Sequence, residues 1–117
     1  MGIRDLSKRL NQSVDELDKA RLQERFQGVE ITPIADAPAR QPVRIGGEVQ
    51  AVQMVPRAGS PSLEVTVHDG SSKAVAVFTG RKAIAGVACG RGILVEGVGR
   101  MERNRLLLLN PAYTLLP

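Results

Sequence analysis

Tryptophan is absent, and aromatic residues make up 3% of the chain. Any stacking platform is therefore limited to Phe26, Phe78 and Tyr113. Cys89 is the single cysteine, which excludes an intramolecular disulfide. Its Ala-Cys-Gly context reads as a small buried hydrophobe. His68 is the single histidine, and one His with one Cys cannot close a zinc site. No run approaches the ~18 apolar residues of a membrane span. The first residues carry Arg4, Asp5, Lys8 and Arg9 with no apolar stretch behind them, so neither membrane insertion nor a signal peptide is expected. The expected location is the cytoplasm. The sequence also lacks a Ser/His/Asp set, carboxylates paired on a shared face, and a G-x-x-x-x-G-K-[ST] phosphate loop. We therefore expect no enzymatic activity and no cofactor.

The 117 residues suffice for one domain with a modest core, and an added packing element would help it. Its net charge of +4 is unevenly placed. Residues 1–30 carry six bases and six acids, whereas residues 38–117 carry ten bases against five acids. The positive excess thus belongs to the C-terminal part, where a polyanion would bind. Ile3, Leu6, Leu10, Val14 and Leu17 recur at spacings of three and four. That predicts an amphipathic helical segment within residues 1–30. Residues 31–42 hold three prolines and read as an extended linker.

From residue 43 the pattern changes to short apolar strands. Val43–Val55 forms the first, with Gly46-Gly47 inside it to turn a barrel corner. Pro56–Ser62 reads as a loop. Leu63, Val65 and Val67 alternate with polar neighbours as a half-buried second strand. Asp69-Gly70-Ser71-Ser72 is a turn, and Ala74–Phe78 the third strand. Arg81–Ala88 is expected to form a short helix ending at Gly90. Gly92–Met101 and Arg105–Leu109 are strands four and five, joined by a tight hairpin and stopped by Asn110-Pro111. The order β-β-β-α-β-β predicts a mainly β fold. It is a five-stranded Greek-key barrel of the oligonucleotide-binding (OB) kind over residues 43–117, with a helix between strands three and four.

Six strings occur in order: Gly47-Glu48-Val49, Val67-His68-Asp69-Gly70, Ala76-Val77-Phe78, Ala85-Gly86 with Gly90, Val95-Glu96-Gly97, and Leu109-Asn110-Pro111-Ala112-Tyr113. Together they resemble the anticodon-binding-like barrel family, and within it the wedge barrel of RecG-type branch-migrating helicases. The resemblance covers residues 43–113. It implies a nucleic-acid-binding OB-fold without the motor of a helicase.

In such barrels ligands lie over strands two and three, between the loop joining strands one and two and the loop joining four and five. Arg57 falls in the first loop, and Arg100, Arg103 and Arg105 surround the last hairpin. Lys73 borders the turn between strands two and three, and Arg81 with Lys82 follow strand three. Convergent positive charge is what phosphate binding requires. If Leu63, Val65 and Val67 point inward, His68 faces out. Ala74, Ala76 and Phe78 would then form an outward floor, with Phe78 either a stacking ring or a barrel plug. Tyr113 is expected to pack on the barrel end. The expected ligand is single-stranded or branched DNA, or structured RNA. A protein adaptor is the competing reading, with the N-terminal helix meeting the barrel, a second copy or another protein.

Overall fold

The computed structural model describes residues 16–117, so Ile3, Leu6, Leu10 and Val14 lie outside the described part. Helix α1 occupies residues 16–25. Six strands follow: β1 (Pro42–Arg57), β2 (Ser60–His68), β3 (Lys73–Thr79), β4 (Gly92–Glu102), β5 (Arg105–Leu109) and β6 (Ala112–Leu115). β1 is long enough to serve two partners. Its first half pairs with β4 from Pro42 to Glu48, and its second half pairs with β2 from Glu48 to Arg57. The change of partner requires a sharp bend. Gly47 provides it, since a Cβ there would stand 2.3 Å from the His68 carbonyl oxygen. A break in register between Val49 and Ala51 adds curvature.

The strands close in the ring β1-β2-β3-β5-β4 and back to β1, an OB-like barrel. β3 and β5 are parallel, and the other pairs are antiparallel. Ile45, Val65, Val67, Ile93, Val95 and Leu108 fill the interior. β6 was not foreseen; after Asn110-Pro111 the chain re-enters the sheet and pairs with β4 at Ile93–Glu96.

Two segments differ from the sequence reading. Pro56–Ser62 is not an open loop: the ladder continues through Pro56↔Pro61 and Arg57↔Ser60, leaving Ala58-Gly59 as a two-residue turn. Both turn residues have positive φ, the requirement of a primed hairpin. Residues 81–88 are a series of turns rather than a helix. Gly80, Gly86 and Gly90 all sit at φ between 75° and 88°, which interrupts helical propagation in so short a stretch. Ile84 from these turns is buried in the main core, so the segment still plugs the barrel.

α1 and the proline-rich stretch both lie on the barrel. Leu22 and Phe26 pack on Leu94, while Leu17 is 69% exposed, so the docking face is not the stripe that ends at Leu17. Gly46 decides this. It leaves the space that Phe26 and Ile31 occupy, and a Cβ there would come within 3.1 Å of the Phe26 ring. Ile34, in the short 3-10 turn Ile34–Asp36, enters the main core. Its N–H donates to Asp69 Oδ2 at 2.8 Å.

Candidate functional site

The β1–β2 and β4–β5 hairpins carry Arg57, Arg100, Arg103 and Arg105. In the β4–β5 turn Arg103 and Asn104 both have positive φ (53° and 64°), so this hairpin is as tight as the β1–β2 one. An arginine rather than glycine in that region costs on the order of 1–2 kcal/mol, and it holds the Arg103 backbone at the tip. Cross-strand pairing puts Glu64, Val75, Val77, Arg100, Glu102, Arg105 and Leu107 on the outer face, because their alternates Leu63, Val65, Ala74, Ala76, Leu106 and Leu108 line the core.

On this face three arginines and two glutamates join the hairpins. Arg57 Nη2 lies 3.2 Å from Glu64 Oε2 and 3.8 Å from Glu102 Oε1. Arg100 Nη2 reaches Glu102 Oε2 at 3.1 Å, and Arg105 Nη2 is 3.9 Å from Glu64 Oε1. The Glu64 side chain is only 11% exposed. Beside this network Val75, Val77 and Leu107 form a second apolar cluster, almost wholly buried although it lies outside the barrel. Three of the predicted cations are therefore brought together, with their charge partly cancelled. Arg81, Lys82 and Arg103 are exposed and enter no ion pair among the described residues. The Gly80 N–H donates to the Pro61 carbonyl at 2.8 Å, which starts the Arg81-Lys82 pair beside the β1–β2 arm.

The other predicted residues lie elsewhere. His68 and Lys73 are cross-strand partners at the far end of β2, beside Asp18 of α1 and Ser71 and Ser72 of the turn. Phe78 corrects the expected outward floor. It is 5% exposed, lies in the main core with Ala74 and Ala76, and meets Tyr113 edge-on at 5.5 Å. The cause is register: Phe78 pairs with Leu63 and Ala76 with Val65, and directly paired residues share a face. The inward face of β2 thus dictates the inward face of β3, and the valines point out. Cys89 is exposed rather than buried. Among the described residues no group of three His, Cys, Asp or Glu side chains could hold a metal ion. No helix there is long and apolar enough to cross a membrane.

A second charge cluster, not foreseen, joins α1 to the barrel. Glu48, buried on β1, accepts from Arg21 Nη1 at 2.6 Å and Nη2 at 2.8 Å, and also from Arg25. The Arg21 hydrogen bonds, aided by those of Arg25 and opposed by burial, lower the Glu48 pKa to about 2. In the Asp69 turn, burial pushes the carboxyl up. Hydrogen bonds from the Ser71 hydroxyl and from the N–H groups of Ile34, Ser71 and Ser72 outweigh it, so Asp69 rests below its ordinary value. The sequence signal for Glu48 was weak, namely a carboxylate between apolar strand residues with arginines four apart on a distant helix.

The sequence matches no protein-family model and no curated protein. Among solved structures the chain is similar to one in the replication protein A heterotrimer bound to ssDNA, with a TM-score of 0.51 and 13% identity. The match covers 71% of this chain and 62% of that chain. At this identity the likeness is one of fold alone.

Proposed function

We propose that this chain is a non-catalytic nucleic-acid-binding barrel of the OB kind. It takes single-stranded or branched DNA, or structured RNA, on the outer face between its two hairpins, in a cytoplasmic setting. The observation that carries this reading is the convergence of Arg57, Arg100 and Arg105 on one outer face of an OB-like barrel, with Arg103 in the adjoining β4–β5 turn. The positive excess of residues 38–117 supplies the long-range attraction. The resemblance of its motif strings to RecG-type wedge barrels, and the likeness to a chain of a heterotrimer that is bound to ssDNA, point the same way. Phosphates would compete with Glu64 and Glu102 for the arginines, so affinity is expected to be modest.

The test is a titration of labelled single-stranded DNA, duplex DNA and RNA across a salt series. The log–log slope is expected between about −2 and −4, corresponding to roughly three to five neutralised phosphates. The double change Arg103→Ala, Arg105→Ala should reduce its magnitude. Absence of binding to all three at low salt overturns the reading. It would favour a protein adaptor, for which the exposed Leu17, Met54 and Met101 offer apolar contact points.

A further inference from the structure

The outer face continues beyond the arginine–glutamate network to a recess on β4 and β5. Arg40, Val98, Arg100, Leu107 and Leu109 line it around Gly99, a shallow recess of about 330 Å³ open to solvent. Val98 and Arg100 point outward from β4 because Val95 and Gly99 face the core side, where a Cβ on Gly99 would meet Leu106 at 2.7 Å. Leu107 and Leu109 point outward from β5 by the same alternation. Val98 and Leu109 are 57% and 51% exposed, two aliphatic walls left open beside buried neighbours.

Arg40 stands at the edge of this recess in the left-handed region (φ 66°), and its N–H donates to the Gly99 carbonyl at 2.8 Å. A backbone hydrogen bond thus anchors the residue to the β4 wall while its guanidinium stays exposed. No carboxylate pairs with Arg40 among the described residues, whereas Arg100 is shared with Glu102. An apolar surface of Val98, Leu107 and Leu109 with two arginines in its lining fits a group that offers a flat apolar face and anionic neighbours. The volume is at the low end of small-ligand pockets, about 300–1,000 Å³, enough for one nucleotide and not for a folded segment. The recess also abuts the hairpin arginines through Arg100 and Glu102, so a strand held there runs directly onto it.

We propose that this recess is a base pocket on the strand path, in which one unpaired nucleobase packs against Val98 and Leu109 and the flanking phosphates meet Arg40 and Arg100. The inference rests on the nucleic-acid reading above and extends the path from β2 and β3 onto β4 and β5.

The experiment compares two labelled strands of equal length by fluorescence anisotropy, an oligothymidylate and its abasic counterpart, with wild type, Arg40→Ala, Val98→Ser and Leu109→Glu. All three positions are exposed. Melting curves should therefore superimpose, and Val98→Ser serves should the bulkier Leu109→Glu fold poorly. The wild type should prefer the base-bearing strand by about fivefold or more. Val98→Ser and Leu109→Glu should bring that preference close to one. Arg40→Ala should weaken both strands alike. If Val98→Ser keeps the full preference while Arg103→Ala still weakens both strands, the strand bypasses the recess. The base pocket then falls and the nucleic-acid reading stands. If Leu109→Glu only converts a dimer to a monomer, the recess is a self-contact and the proposal fails. If wild type binds neither strand, both readings fall together.

Discussion

Phe78 shows how one side chain changes meaning when its strand acquires a partner. Read alone, it ends a strand beside small alanines and fits either a stacking ring or a barrel plug. Paired with Leu63 it must share the inward face, where it is buried and braced by Tyr113. Phe78→Ala should therefore cost about 3–5 kcal/mol of stability, the range for deleting a buried phenyl group. The affinity of the folded fraction for a strand should not change. Denaturant melts together with binding data normalised to folded protein separate the two. A loss of about 1–3 kcal/mol in affinity at unchanged stability would restore the stacking role. That His68 and Lys73 point out of the barrel was legible, although His68 is half-buried.

At the scale of elements, α1 is held by two different forces. Leu22 and Phe26 contribute apolar burial, and Arg21 and Arg25 grip the buried carboxylate of Glu48. The Glu48 pKa is about 2 when folded, against an ordinary 4.5. Its contribution is therefore complete above about pH 4.5 and is lost as the pH falls toward 2, when folding no longer favours the ionised form. Water around the half-exposed Arg21 screens the pair, so the contribution is well below the full value of the shift. Asp69, also depressed, adds to the same acid limb. Glu48→Gln should lower stability at neutral pH and flatten the fall between pH 4.5 and 2 that remains in wild type. Thermal melts of both proteins across this range provide the check. A parallel pair of curves would show that the carboxylate does not hold the helix.

At the scale of the whole molecule, the charge that suggests a polyanion ligand is partly spent inside the protein. Glu64 and Glu102 occupy the face that a strand would cover and pair with three of the arginines meant to bind it. Removing one of these competitors should strengthen binding. Glu64→Gln keeps the shape and acceptor oxygen but frees Arg105 and leaves Arg57 with Glu102 alone, and should raise single-strand affinity on the order of threefold to tenfold. The gain should shrink with added salt, because phosphate contacts are lost with it. Equal affinities of variant and wild type at low salt would mean that the strand does not cross this face.

The sequence alone determined the strand alternation, the glycine bend in the first strand, the Asp69 turn and the concentration of positive charge in the barrel. Each of these depends on neighbours within a few residues: side-chain period, backbone freedom at glycine, and local composition. Tertiary structure decided which face of β3 is inward and that residues 81–88 plug the barrel without a helix. It also decided that the long β1–β2 arm has a two-residue tip and that Arg21 and Arg25 meet Glu48. It gathered Arg40 with Val98 and Leu109 around one recess. These outcomes depend on register between strands distant in sequence. A shift of one residue exchanges every inward and outward side chain, and no local pattern encodes that choice.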